Sequence, residues 1–336
     1  MQSEFAKYAT QKELDDLRKL QAEFARELAI VRNQSSPSRV DRLKDLSFSE
    51  TTKLNGEVNF VVSGLAVENQ ASGSRRDREL TFSQRVKLEL NTSFFGKDQL
   101  TTSLKAGNLP NLARAAGTDM ARLGLQGDSE GKLELDELNY RFPIGKRTTL
   151  RLVATGGSLN DFAKPLNSFL DGTDDGAVSR FAQRNPIFRL GSGSGIGITH
   201  RFGDGLRFSA GYLANDANDP TVGFTNESGA IAQLTVSPSD QIDIAFTYVR
   251  SYNRVRTGTG SRIANDPFRG TSEAIVANSF GVQTEIGITP SLFLSGWVGF
   301  TQAFATDLAN EPQANSFTWA ATLAAPDLGG DGNLLG

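Results

Sequence analysis

Between Leu80 and Phe94 the chain alternates two kinds of residue for some fifteen positions. Leu80, Phe82, Val86, Leu88, Leu90 and Phe94 stand on one side, and Thr81, Ser83, Arg85, Lys87, Glu89, Asn91 and Ser93 on the other. Only Gln84 and Thr92 break the apolar side. A period of two belongs to a β-strand, whose successive side chains leave opposite faces. A strand this long needs an apolar environment on one face and a polar one on the other along its whole length. That requirement restricts the architecture more than any other feature of the sequence.

The pattern recurs. Leu54, Gly56, Val58, Phe60 and Val62 alternate with Asn55, Glu57, Asn59, Val61 and Ser63, and further strands are predicted over 99–106, 133–142, 148–156, 195–202, 206–214, 229–236, 242–249, 276–288, 292–302 and 316–325. Twelve strands result. Short connections (95–97, 143–147, 203–205, 237–241 and 289–291) alternate with long ones (67–78, 107–131, 157–194, 215–228, 250–273 and 303–315). Short turns on one rim and long loops on the other describe an up-and-down antiparallel meander, for which a soluble sandwich gives no reason.

A sheet can cross a bilayer only if its backbone groups are all satisfied by protein, which requires closure into a barrel. Such barrels use about 9–11 residues per tilted strand, apolar outward and polar inward. The fold class expected is therefore all-β, a transmembrane barrel over 52–336. Its pore-lining set would include Glu57, Arg85, Lys87, Glu89, Lys105, Glu137, Arg141, Arg151, Arg207 and Asp243. These charges would be costly in a sandwich core and cheap in a hydrated lumen. Phe94, Tyr140, Phe142, Phe202, Phe208, Tyr212, Tyr248, Phe280, Phe293, Phe317 and Trp319 fall near strand ends, where aromatic girdles meet the membrane interfaces. The charge-free run 286–306 is long enough for a helical span, but Gly287, Pro290, Gly296 and Gly299 punctuate it against that reading.

The first 50 residues are different. They carry 18 charges, nine of each sign. Leu14, Leu17, Leu20, Phe24, Leu28 and Val31 recur at spacings of three and four, and Val40, Leu43 and Leu46 resume the spacing beyond Pro37. Residues 1–48 are thus expected to be helical, either as an amphipathic helix on its own domain or as a coiled-coil stalk. The opening Met1-Gln2-Ser3-Glu4-Phe5 shows no basic and apolar leader, and Asn333-Leu334-Leu335-Gly336 stops as if a strand were starting, so a piece truncated at both ends is expected.

Chemistry is scarce. The chain has no Cys and one His, which removes disulfide scaffolds, Cys-based zinc sites and thiol catalysis. Its net charge of −3 is unlike that of a nucleic-acid binder, and no cofactor is expected. A barrel enzyme would need His200 as its imidazole base, whereas a structural or lumen-facing role suits a histidine at a strand end better. Asp171-Gly172-Thr173-Asp174-Asp175-Gly176 opens like a calcium loop, but its twelfth position would be Ala182 where a bidentate Glu is needed. No metal site or catalytic set is predicted. The loop 157–194 is the candidate constriction. Arg180, Arg184 and Arg189 would stand in it against Asp171, Asp174 and Asp175, a charge separation able to filter ions.

Leu17–Arg32, then Val40-Asp41-Arg42-Leu43, then Thr51-Thr52-Lys53-Leu54-Asn55-Gly56-Glu57-Val58 resemble the cyanobacterial outer-membrane porins that place an S-layer-homology domain before a carbohydrate-selective (OprB-type) barrel, also termed iron uptake porins. Leu138–Gly145, Ser179–Arg189 and Ala324–Gly329 fit the same family. The resemblance implies a homotrimeric pore in the outer membrane, in contact with its lipid, through which ions and small hydrophilic solutes diffuse passively. Inorganic ions including iron, and carbohydrates, all suit a wide pore. It also implies a barrel of about sixteen strands and attachment to peptidoglycan through an N-terminal domain that these residues do not contain. The alternative is a structural tether between outer membrane and wall, with incidental transport.

Overall fold

The computed structural model describes Lys19, residues 51–65 and residues 79–336. The chain divides into two compact units, Met1–Thr52 and Lys53–Gly336. In the first, Lys19 is helical and exposed, and the rest of the helix expected over 1–48 lies outside the described residues.

Among the described residues, one sheet in strict sequence order makes up the second unit. Its strands are β1 (Thr52–Ser63), β2 (Thr81–Thr92), β3 (Gln99–Gly107), β4 (Glu134–Ile144), β5 (Thr148–Ser158), β6 (Ser192–Arg201), β7 (Leu206–Ala214), β8 (Ser228–Ser239), β9 (Ile242–Tyr252), β10 (Ile275–Thr289), β11 (Leu292–Ala305), β12 (Gln313–Pro326) and β13 (Leu334–Leu335). Three short helices interrupt the long loops: α1 (Leu112–Ala116), α2 (Arg180–Gln183) and α3 (Arg262–Asn265). The sequence predicts twelve strands and the sheet has thirteen. The extra one is a two-residue pairing of Leu334 and Leu335 with Pro326 and Ala325, too short to register as periodicity.

Register puts the alternation to use. Lys87 faces Lys105, Ser103 faces Glu137, Arg141 faces Arg151 and Arg201 faces Arg207, so polar residues run from strand to strand on one face. On the opposite face Tyr248, Phe280, Phe300 and Phe317 stand side by side across β9 to β12. Tyr248 and Phe280 lie 5.2 Å apart, centroid to centroid. Phe60 stacks on Phe82 at the β1–β2 end of the same face.

The sheet is inside out by the standard of a soluble protein. Phe82 is 71% exposed, Phe246 52% and Phe280 54%, whereas Ser103, Ser279, Gln233 and Gln283 are buried on the other face. Water-soluble monomers rarely expose contiguous apolar patches beyond a few hundred Å². Here the apolar residues occupy the outer side of nearly every long strand.

Two sequence expectations change. Phe293 leaves the aromatic girdle: it shares the polar face, where its ring meets Phe169 at 4.5 Å. His200 does not face the polar side. It shares the apolar parity of Ile196 and Ile198, with Nδ1 2.8 Å from Thr148 Oγ1 and its ring against Phe202.

Candidate functional site

The polar face is covered by the β5–β6 loop, residues 159–191. Its two ends are pinned by local sequence. At the start, Ser158 and Asp161 form a reciprocal capping box around a 3-10 turn, Leu159–Asp161. At the end, Pro186 opens a second such turn, Pro186–Arg189, and the Asn185 side chain accepts the Ile187 N–H.

Apolar side chains beside these turns make the core. Phe162, Ala163, Ile187, Phe188 and Leu190 pack with Val153, Leu213, Ile231 and Val249 of β5, β7, β8 and β9. Each large side chain buried this way contributes about 1.5–3 kcal/mol. The hydrophobic core of this molecule therefore lies between a loop and the inner face of the sheet, and not between two layers of secondary structure.

Between its anchored ends the loop stretches across the face. Asp174 meets Arg85 at 2.8 Å and Lys87 at 3.4 Å, both on β2. Asn185 Nδ2 donates to Val298 O on β11 at 3.1 Å, Ser168 is held by Glu285 on β10, and Thr322 on β12 donates to Asn167 at 2.9 Å. One loop thus reaches strands ten places apart in the sheet. The sheet must curl around it for both sets of contacts to exist.

The register places Arg85, Lys87, Glu89, Lys105, Glu137, Arg141, Arg151, Arg207 and Asp243 on this face, and Glu57 of β1 alternates with the exposed Val58 and Phe60. Glu57 accepts from Asn59, Glu89 accepts from Asn91, Lys105 pairs with Asp136, and Glu137 accepts from Asn139. Arg141 donates to Gln99, Arg151 lies 3.9 Å from Asp161, and Asp243 accepts from Ser237. Arg141, Arg147, Arg151, Lys164, Arg201 and Arg207 share a cavity of about 310 Å³ toward the short-turn rim, with Asp161 as its one carboxylate. Arg147, Arg201 and Asp136 were not predicted as lining residues: Arg147 lies in a turn and Asp136 at a bulge, outside a strict two-residue period, whereas Arg201 ends β6 on the lining parity.

The loop charges are divided among separate contacts. Arg184 Nε pairs with Asp171 at 3.1 Å, and Asp174 is committed to β2. Arg189 is buried, donating to Arg180 O at 2.9 Å and to Gln183 Oε1 at 3.0 Å. Asp175 is exposed. Burial raises the Asp171 carboxyl, with Arg184 opposing, and raises that of Asp161, with the Ser158 N–H opposing. Burial, then the guanidinium groups of Arg122, Arg184 and Arg254, pull Arg180 down to about 10, so it stays charged at neutral pH.

Arg180 instead joins residues from two other loops. An antiparallel bridge between Leu123 and Ser179 ties the β3–β4 loop to this one, with Arg180 N donating to Arg122 O. Arg254 of the β9–β10 loop donates to Arg189 O and pairs with Glu227. The three loops, with Glu227 of the β7–β8 connection, enclose a cavity of about 830 Å³ toward the long-loop rim, lined by seven arginines and three carboxylates. The arginine-rich spacing of Arg254-Val255-Arg256 was visible in the sequence, but its convergence with Arg122 was not.

Such a face holds fixed charges of both signs along a polar, loop-narrowed surface. That arrangement can sort solutes by size and charge.

Residues 11–336 match the model of the carbohydrate-selective porin, OprB family. An uncharacterized protein of Nostoc sp. is 34% identical over 98% of this chain and 62% of its own length. An uncharacterized protein of Synechocystis sp. is 33% identical over 97% of this chain and 64% of its own length. The chain therefore spans less than two thirds of the curated relatives it matches. Among solved structures, a high-pH form of Pseudomonas putida OprB superposes with a TM-score of 0.50 at 12% identity, covering 86% of this chain and 73% of that one. At that identity the likeness concerns the fold alone.

Proposed function

The chain belongs to the carbohydrate-selective porin, OprB family, and from that premise we propose that residues 52–336 form the wall and constriction loop of an outer-membrane pore for small hydrophilic solutes. The observation that carries the reading is the inside-out sheet. Its apolar face suits lipid, at about 1.5–3 kcal/mol for each large side chain taken out of water. Its charged face, with the β5–β6 loop folded across it, suits a hydrated lumen. A porin is a channel and not an enzyme; solute would cross down its own gradient.

Under this reading the sheet belongs to a closed barrel, since open edges are not tolerated in lipid. Glu57, Arg85, Lys87, Glu89, Lys105, Glu137, Arg141, Arg151, Arg207 and Asp243 line the lumen. The aromatic row Tyr248–Phe280–Phe300–Phe317 meets either the interface or a neighbouring subunit of a trimer. Carbohydrates are the solute class favoured by the family; iron ions rest on the resemblance to the iron uptake porins alone. The tether alternative and the coiled-coil stalk concern residues 1–48, which apart from Lys19 lie outside the described ones.

Reconstitution of the full-length protein tests the proposal. We expect stepwise conductance in planar bilayers, and swelling of proteoliposomes in monosaccharide that falls away with larger sugars. Membrane-inserted protein that neither conducts nor swells liposomes would refute it.

A further inference from the structure

We propose that the cavity between the β3–β4, β5–β6 and β9–β10 loops is a binding site for a phosphate group, either free or carried on a small solute. The inference rests on the pore reading for the location of this cavity at a mouth, but not for binding itself.

The argument begins with charge. Seven arginines against three carboxylates leave a formal surplus of four positive charges around one cavity. The carboxylates are already committed: Asp119 lies 3.4 Å from Arg256, Glu227 pairs with Arg254, and Asp266 accepts the Gly270 N–H at 2.8 Å. The guanidinium groups of Arg122 and Arg180 make no hydrogen bond or ion pair among the described residues. Arg189, only 7% exposed, has an Nε likewise without an acceptor. Buried donors of this kind are nearly always satisfied in folded proteins, and several unpartnered guanidinium donors in one wall suit an anionic ligand.

The backbone holds these like charges together. Arg122 and Arg180 are joined through the Arg180 N to Arg122 O bond, Arg180 and Arg189 through the Arg189 guanidinium, and Arg189 and Arg254 through the Arg254 Nε. Gly258, at φ +66°, lets the third loop close on the pair: a Cβ there would fall 2.4 Å from an Arg122 terminal nitrogen. Side chains alone would swing apart into solvent. The guanidinium groups of Arg189 and Arg254 are tied to backbone carbonyls, and Arg122 and Arg180 are joined through their main chains, so the four stand in one cationic wall.

The ligand class follows from the donors. A neutral sugar needs donors and acceptors in balance, whereas this wall offers a surplus of planar N–H forks. Such forks match the oxygens of phosphate bidentately. A cavity of about 830 Å³ exceeds a bare phosphate and leaves room for an organic part.

Calorimetry on the folded full-length protein in detergent tests binding without requiring conduction. Inorganic phosphate, glucose 6-phosphate and glucose are titrated separately against wild type, Arg180→Gln, Arg180→Lys and Arg256→Gln. We expect saturable binding of a phosphate ligand and none of glucose. Arg180→Gln should weaken it at least tenfold, Arg180→Lys should restore part of it, and Arg256→Gln should change it less than Arg180→Gln. Tighter binding of glucose 6-phosphate than of inorganic phosphate would identify a carried phosphate, and the reverse order a free one. Absence of saturable phosphate binding in wild type overturns the site, as does equal binding by folded Arg180→Gln. A protein that binds phosphate but does not conduct would refute the pore and leave the site standing.

Discussion

Gly197 and Gly211 face each other across the β6–β7 ladder, and the ring of Phe162 occupies the space their side chains would take. A Cβ at either position would lie 2.1 Å from a ring carbon. Two hydrogen atoms in adjacent strands thus form the seat on which the β5–β6 loop rests.

Gly211→Leu should displace that ring. Overpacking of this kind costs about 1–3 kcal/mol. The loop over 159–191 should become cleavable by protease, and single-channel conductance should rise as it leaves the polar face. Adding Phe162→Ala should recover part of the lost stability, giving a double-mutant coupling of about 0.5–3 kcal/mol. Strict additivity of the two changes would show that ring and glycine do not interact.

Asp98 gives the short β2–β3 turn a pH dependence. Burial works to raise its carboxyl, but N–H donors of Phe95 and Phe94, the Tyr140 hydroxyl and the Ser93 hydroxyl outweigh it and hold the group well below the usual carboxylate range. A depressed value stabilises the fold above the unfolded-state value of about 4 and loses that contribution as pH falls from there toward the folded value. The urea midpoint of wild type should exceed that of Asp98→Asn at pH 6, with the gap closing below about pH 4. A gap independent of pH would mean that the ionised carboxylate is not what holds the turn.

Phe246 and Thr149 compare the two faces of the sheet. Phe246 lies among exposed apolar side chains of the outer face, whereas Thr149 shares the parity of Arg151 and lines its cavity. Phe246→Arg should impair insertion into bilayers by about 2–4 kcal/mol if it lies near the midplane. Thr149→Arg should insert like wild type and alter only ion selectivity. Equal insertion of both variants would contradict the assignment of the outer face to lipid.

Alternation carried most of the sheet. Leu80 to Phe94 announced β2, and the long pattern before Thr289 announced β10, because a period of two is written by each strand for itself. Loop lengths carried the sequence-order topology for the same reason: strands joined by tight turns have only one neighbour within reach. Phe293 was misplaced, and His200 was left between a structural and a lumen-facing role, because a strand end offers too few neighbours to fix parity.

The site was only half legible. Arg180, Arg184 and Arg189 were recognisable as a charged stretch, but their division between a buried pair with Asp171, a backbone clasp and an open cavity was not. That division depends on Arg122 and Arg254, respectively 58 positions before Arg180 and 74 after it in the chain.

The sequence by itself therefore determined which residues alternate, the order and approximate extent of the twelve long strands, and that one face of the sheet must be polar. Only the tertiary structure decided that the β5–β6 loop fills that face, that glycines of β6 and β7 seat it, and that arginines from three loops share one cavity. Periodicity is local and recorded in neighbouring residues, whereas loop packing and charge convergence arise from contacts between segments whose spacing in the chain carries no trace of them.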